Sequence, residues 1–318
     1  GESILAAGQR AGVPLRYGCS NGTCGQCRAR LVAGETRAVA HQDFHFKAED
    51  AARGLFLTCV NTAASDLTLE AGLLGAPAEV PRQDIPARVH RLRPLDGHTL
   101  ELQLRTPRSR ALEFLPGQHV TLEVPGLLPR YRSLSSCPCD GIHLSFIIRR
   151  VPGDAFSEYV FGHLRRGDPV RVEGPEGDFT LDDDSRRPLT FFCYDNGFAP
   201  VKSLIEHAIA TDESRDMTLY WMTLRPGEHY HDNLCRSWAD ALDRFRYVPL
   251  ASIVPGEDGR EAWQEAEVLG QVLEGSPDIA GHDVYAAGPR ALVAALGAGC
   301  VERGLPPERF FSESLRQF

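Results

Sequence analysis

Tyr17-Gly18-Cys19-Ser20-Asn21-Gly22-Thr23-Cys24-Gly25-Gln26-Cys27 sets three cysteines at Cys-x4-Cys-x2-Cys spacing, and Leu57-Thr58-Cys59-Val60 supplies a fourth. Four thiolates at this spacing are the ligand pattern of a [2Fe–2S] cluster. A loop that wraps an inorganic core needs close backbone approach, and Gly18, Gly22 and Gly25 stand among the cysteines without a Cβ to obstruct it. Their amides can turn toward the sulfurs and stabilise the negative cluster. Zinc is the alternative occupant of four cysteines, but zinc sites usually present two short Cys pairs. Cys19, Cys24, Cys27 and Cys59 are the candidate metal ligands.

The 318 residues leave room for two or three domains. With 42% hydrophobic and 24% charged residues, the composition is that of an ordinary globular protein. A net charge of −9 argues against nucleic acid as a partner, because such binding needs a basic face. The pairs Arg149-Arg150, Arg165-Arg166 and Arg186-Arg187 are scattered and read as solvated surface. Nine cysteines are an odd number. With four given to iron, Cys137, Cys139, Cys193, Cys235 and Cys300 are expected to be free thiols in a reducing cytoplasm. The longest apolar run, Ala291–Val301, is shorter than the roughly 18–20 residues of a membrane span, so no integral span is expected. The chain opens at Gly1 without Met, and an earlier segment is compatible with that.

Working outward from the cysteines, the stretch before them reads as a short helix capped by Ser3. After them, Arg28–Val32 and Leu67–Glu70 alternate like strands on either side of a turn at Gly34-Glu35. Ala76–Gln83 is Pro-rich and without period, as a linker would be. From Ile85 the apolar period becomes two, in runs at Ile85–Val89, Leu100–Leu104, Val120–Val124 and Leu144–Ile148, which suggests an antiparallel barrel. A helix is expected over Ser157–Leu164. Beyond Pro188 the pattern changes to apolar runs alternating with helical stretches. Strands are expected at Leu189–Tyr194, Met217–Met222, Tyr247–Ser252 and Asp283–Ala287. Helices are expected at Ala199–Ala210, Leu234–Leu242, Ala262–Leu273 and Ala291–Arg303. That alternation implies a doubly wound α/β domain.

This order of parts resembles the ferredoxin–NADP reductase family, and in particular the three-domain reductases that serve multicomponent oxygenases and a sugar dehydratase. The resemblance covers essentially the whole chain. It implies a β-grasp ferredoxin domain over 1–76 without its usual opening hairpin, and a linker over 77–83. An antiparallel flavin-binding barrel over 84–184 and a nicotinamide-binding α/β domain over 185–318 would follow. The motifs that carry it are Arg130-Tyr131-Arg132-Ser133, Gly153–Ser157 and Gly174-Pro175-Glu176-Gly177-Asp178-Phe179, then Asn196-Gly197-Phe198-Ala199-Pro200, Ala287-Gly288-Pro289 and Glu313. By resemblance Arg130, Arg132, Ser133, Gly153 and Ser157 hold FAD, with Arg130 on the pyrophosphate and Ser133 near the reactive ring nitrogen. Asn196, Gly197, Pro200, Gly288 and Pro289 hold NADH or NADPH, and Ser133 and Glu313 are the candidate catalytic residues. The implied function is electron transfer from NAD(P)H through FAD and the cluster to a partner oxygenase or dehydratase. Hydride donors give two electrons, the cluster carries one, and a flavin handles both.

The chain also departs from the family. The residue expected to stack on the flavin is Arg132, a glycine pair is replaced by Tyr194-Asp195, and the cysteine before Gly288 is Ala287. These changes support an alternative, a reductase-like subunit that has lost efficient hydride transfer and acts as a structural or electron-relay partner. Flavin content and bleaching by NADH separate the two readings. Arg225 follows the second strand of the last domain, where it could meet a 2′-phosphate or solvent. His229-Tyr230-His231 has no third ligand in view and reads as surface.

Overall fold

Serine at the first turn, glycine at the tight turns and period-two apolar residues account for most elements of the computed structural model. It describes residues 2–314 except 12, 14, 17–21, 23, 24, 26, 73–79, 109, 139–141, 183, 184, 212, 213, 256–260 and 264. Helix α1 (Ile4–Arg10) begins where Ser3 Oγ accepts the Ala6 amide at 3.1 Å. β1 (Arg28–Ala33) is the centre of a three-stranded antiparallel sheet, flanked by β3 (Leu55–Leu57) and β5 (Thr68–Ala71). β2 (Thr36–Ala38) and β4 (Asn61–Ala63) make a separate ribbon, and α2 (Ala48–Ala52) lies between. Leu5, Leu15, Leu57 and Val60 bury against Cys27 and Cys59, so the small core and the two cysteines are one cluster.

The next six strands form one barrel-like antiparallel sheet. They are β6 (Gln83–Pro94), β7 (Thr99–Arg105), β8 (His119–Glu123), β9 (Arg130–Ser133), β10 (His143–Arg149) and β11 (Pro169–Glu176), in spatial order β10-β7-β6-β11-β8-β9. The apolar residues at every second position face inward: Ile85, Ala87 and Val89, then Leu100, Leu102 and Leu104, then Val120 and Leu122. α3 (Ala155–Gly162) closes one side by adding Phe156 and Val160 to that core. The helix starts two residues before the expected Ser157, because Asp154 caps it.

In the last third, β12 (Leu189–Tyr194) is the middle of a five-stranded parallel sheet. The chain passes through α4 (Phe198–Ala210) to β13 (Met217–Thr223), and through α5 (Asp232–Ala241) to β14 (Phe245–Ala251). A hairpin of β15 (Ile253–Pro255) and β16 (Glu261–Trp263) precedes α6 (Glu265–Glu274). β17 (Asp283–Gly288) then returns to the other side of β12, followed by α7 (Arg290–Glu302) and β18 (Phe310–Ser314). The order β14-β13-β12-β17-β18 reverses direction between β12 and β17, which makes the carboxyl ends of those two strands the crevice where such sheets bind ligands.

Two expectations need correction here. Ala262 belongs to the β15–β16 hairpin and not to a helix, which starts at Glu265. Gln83 belongs to β6 and not to the connecting segment, since it sits opposite Gly174 of β11.

The barrel and the parallel sheet are fastened together through α4. Lys202 Nζ donates to Ser135 O at 2.9 Å, and Ser203 Oγ donates to Ser136 O at 2.7 Å while accepting from Gly117 N at 3.3 Å. The N-terminal unit meets the barrel through the Arg16–Glu113 ion pair at 2.9 Å.

Candidate functional site

Cys27 and Cys59 are brought together from 32 residues apart, with their sulfurs 3.1 Å from one another. That is beyond a disulfide bond, which is about 2.05 Å long. The Thr58 amide and hydroxyl both donate to Cys27 O, at 2.9 and 3.0 Å, and lock the two cysteine backbones in register. Gly25 has φ +76°, and a Cβ there would stand 2.3 Å from the Phe44 ring. Gly22 at φ +82° would put a Cβ 2.8 Å from His41 O. Adjacent thiols under a glycine cradle fit a thiolate-ligated metal cluster. Cys19 and Cys24, the other expected ligands, lie outside the described residues.

At the barrel edge, β9 pairs with β8 so that Arg130 opposes Leu122, Arg132 opposes Val120, and Ser133 opposes His119. Arg130 and Arg132 therefore share the inward face, while Tyr131 points the other way and stays exposed. Arg130 Nη2 reaches the Asp154 carboxylate at 3.1 Å. The Arg132 guanidinium lies 5.0 Å from the Phe156 ring centroid, a cation–π arrangement, and burial pulls its pKa down to about 10. Two guanidiniums with one carboxylate between them leave net positive charge beside the start of α3, which fits the diphosphate of a flavin dinucleotide.

Ser157 departs from its expected role. Its hydroxyl is buried, accepts the Val151 amide at 3.1 Å, and lies within bonding reach of Val151 O and Asp154 O. Its own amide goes to the Asp154 carboxylate at 2.9 Å. An internal helix cap has absorbed the groups expected to face a phosphate. Burial pushes the Asp154 carboxyl up, yet the Ser157 amide, Arg130 and the Ser157 hydroxyl together bring it below its ordinary value. Gly153, with φ +83° and open space around it, remains accessible.

At the crevice, Asp195–Gly197 form one 3-10 turn between β12 and α4. A Cβ on Gly197 would stand 2.2 Å from Ala287 O, so only glycine lets the turn lie this close to the end of β17. Asn196 Oδ1 is buried and has no hydrogen-bond partner among the described residues, an orphaned acceptor that suits an amide-bearing ligand. Tyr194 packs over the other wall, its Cβ 3.0 Å from the position a Gly288 Cβ would take. Ala287 is fully buried in the core with Cys193 and Phe198, so its methyl group is a packing element. Pro200 is buried in the first turn of α4, and Pro289 caps α7 directly after Gly288. Glu313 on β18 opposes Ala287 and brings its carboxylate 3.5 Å from His119 Nδ1.

The Asp195 carboxylate, which stands where a glycine was expected, is paired: Arg149, from the end of β10, holds it at 2.5 Å. Arg149 is thus not part of a solvated pair; Arg150 beside it lies over Phe161 at 5.9 Å. Burial pushes the Asp195 carboxyl above its ordinary value, and Arg149 pulls it back in part. His229 and His231 are not on the surface either. A ring nitrogen of His229 lies 2.8 Å from Trp221 O, and His231 is buried against Phe198. Arg225 is folded back toward Glu228. Cys193, Cys235 and Cys300 are buried free thiols, and burial raises the Cys300 thiol to about 11. Cys137, expected to be free, is disulfide-bonded. His119 and Arg149 were missed in the sequence; the only signal for His119 was its place beside the Pro116-Gly117 turn.

A 2Fe-2S iron-sulfur cluster binding domain matches residues 1–64, an oxidoreductase FAD-binding domain matches 89–181, and an oxidoreductase NAD-binding domain matches 196–297. The reductase component of propane 2-monooxygenase from Mycolicibacterium smegmatis is 30% identical over 98% of this chain and 92% of its own. The chain belongs to the three-domain iron–sulfur flavoprotein reductases. A CDP-6-deoxy-L-threo-D-glycero-4-hexulose-3-dehydrase reductase from Yersinia pestis is 29% identical over 98% of this reductase and 93% of its own length. The crystal structure of an Amycolatopsis cytochrome P450 reductase, GcoB, superposes with a TM-score of 0.66 at 29% identity, covering 98% of this reductase and 93% of that chain. The reductase is an NAD(P)H-dependent oxidoreductase with a [2Fe–2S] cluster and FAD, and it passes electrons to a protein acceptor. These similarities do not favour the alternative of a subunit without hydride transfer. Among the described residues no helix is long and apolar enough to cross a membrane.

Proposed function

We propose that the acceptor is the terminal component of an oxygenase or of a sugar dehydratase, and that residues of the two crevice walls carry the transfer. When bound, FAD takes a hydride from the nicotinamide and releases its electrons singly to the cluster. Arg130 and Gly153 hold the flavin's diphosphate side, Arg132 stands at the position that stacks on its ring, Ser133 contacts the ring, and Ser157 supports them by ordering the cap. Asn196, Gly197, Pro200, Gly288 and Pro289 shape the nicotinamide side, with Glu313 as the proton-holding group, reaching the flavin edge through His119 opposite Ser133. Cys19, Cys24, Cys27 and Cys59 ligate the cluster. The functional units follow the boundaries 1–76, 83–184 and 185–318, joined through 77–82.

The observation that carries this reading is the convergence of Ser133, His119 and Glu313 from three strands, together with the orphaned Asn196 acceptor in the turn after β12. A relative that serves a dehydrase and another that serves a monooxygenase support the acceptor classes. The buried thiols Cys193, Cys235 and Cys300 suit a reducing cytoplasm, where we place the reductase, although the Cys137 disulfide pulls the other way.

Anaerobic stopped-flow mixing with NADH or NADPH tests the reading. Flavin bleaching should precede cluster reduction, and adding the oxidised acceptor component should reoxidise the cluster. Loss of bleaching in wild-type protein that carries FAD would instead restore the relay-subunit alternative.

A further inference from the structure

The crevice between the barrel and the parallel sheet is crossed by one ion pair that the transfer chemistry does not use. Asp195 is the first residue after β12, at the switch point, and Arg149 ends β10 on the opposite wall. Asp195 is the one non-glycine residue with positive φ among the described residues, at +48°. A left-handed backbone disfavours most L side chains, and aspartate and asparagine tolerate it best. The conformation is held from three sides. Trp221 Nε1 donates to Asp195 O at 3.2 Å, the Tyr230 hydroxyl donates to the same oxygen at 3.3 Å, and Arg149 holds the carboxylate at 2.5 Å. Strain that the surroundings over-determine in this way concentrates at functional sites.

We propose that Arg149 and Asp195 form a latch across the dinucleotide crevice, which an incoming dinucleotide must open to reach the amides of the β12–α4 turn. The inference rests on the placement of the dinucleotide at that turn given above. The carboxylate closes the approach in two ways. It bridges the two walls, and it neutralises the guanidinium nearest the turn, so the phosphates meet no net attraction until the pair parts. Asp195 therefore sets affinity from the unfavourable side, and Arg149 keeps that cost moderate by partnering a carboxylate that would otherwise face the phosphates alone.

The test is calorimetric titration of the oxidised holoprotein with NAD+ and NADP+, which bind without reducing it. Asp195→Asn keeps a side chain that accepts the left-handed backbone, so the fold is retained, and melting temperatures confirm it. Asp195→Asn should bind about tenfold more tightly, the change that parting a partly buried ion pair would otherwise oppose. Arg149→Met should bind about tenfold more weakly, because it leaves the carboxylate facing the phosphates unpartnered. The double variant should bind more tightly than Arg149→Met. Equal or weaker binding by a folded Asp195→Asn overturns the latch. Amide hydrogen exchange of residues 194–198 in wild-type protein, with and without NAD+, separates the two levels of the argument. Protection there with no gain in Asp195→Asn removes the latch and leaves the dinucleotide placement standing. Binding without protection there removes the placement itself.

Discussion

His119 Nδ1 and Glu313 Oε1 meet at 3.5 Å across the boundary between the barrel and the parallel sheet. His119 opposes Ser133 in the barrel, and Glu313 opposes Ala287 at the end of β17. The contact therefore joins the edge assigned to the flavin ring to the strand that ends at the nicotinamide wall. Both side chains are about one-fifth exposed, at 21% and 18%, so they are sheltered yet reachable by a ligand in the crevice.

A group that holds a proton at this place should matter to the rate more than to cofactor content. We expect Glu313→Gln to slow flavin reduction by NADH or NADPH on the order of a hundredfold, the lower range for general acid–base groups. The visible spectrum of bound FAD and cluster should stay unchanged. Wild-type reduction rates in this variant would assign Glu313 to packing alone.

The cluster loop makes two expectations. Purified protein should contain iron and acid-labile sulfide in equal amounts, and Cys24→Ala or Cys59→Ser should lose both. Gly25→Ala should lower iron content with all four cysteines present, because its Cβ would stand 2.3 Å from the Phe44 ring on a backbone with φ +76°. Full iron occupancy in Gly25→Ala would show that the loop can move away from Phe44.

Arg132 occupies the position expected to stack on the flavin, and its guanidinium lies instead over Phe156, 5.0 Å from the ring centroid. Base–aromatic stacks are worth about 1–3 kcal/mol. Arg132→Tyr should lower the FAD dissociation constant by about tenfold or more on that scale. Flavin release measured by fluorescence reads this directly. An unchanged or raised constant would mean that the cation matters more to the diphosphate than the ring would to the isoalloxazine.

Burial, with Lys202 as a further cause, pulls His231 from its ordinary 6.5 down to about 4. A base with a depressed pKa is neutral in the folded protein, while the unfolded chain takes up a proton below pH 6.5. Its contribution to stability is therefore intact above pH 6.5 and is lost as pH falls from 6.5 toward 4, at up to about 1.4 kcal/mol per unit. Urea midpoints at pH 7.5 and 5 should differ more in wild-type protein than in His231→Gln. Equal pH dependence in the two would place the titrating group elsewhere.

The sequence was most informative where spacing or period repeats. Cysteine spacing foretold the meeting of Cys27 and Cys59, and period-two runs foretold β6, β7, β8 and β10. It was silent where pairing across the fold makes the element. Pro169–Glu176 alternates only until Gly174-Pro175 interrupts it, and it becomes a strand through β6 and β8 on either side. Phe310–Ser314 has too few residues for a period and forms by pairing with β17. The site divides likewise. Gly197 and Gly288 were legible as motif glycines, whereas Arg149 and Asp195 are 46 residues apart, one at the end of a barrel strand and the other in the turn after β12. Ser157 carried the expected motif and nevertheless turned inward, because Asp154 three residues earlier offers its amide an acceptor at 2.9 Å.

Helix α4 holds the barrel at two successive residues, Lys202 and Ser203, through the carbonyls of Ser135 and Ser136. Those carbonyls lie two and three residues beyond Ser133, and the helix begins directly after Gly197. The crevice turn and the edge assigned to the flavin are therefore fixed to one helix, which serves both pockets as a common ruler: a displacement of α4 would carry both walls with it.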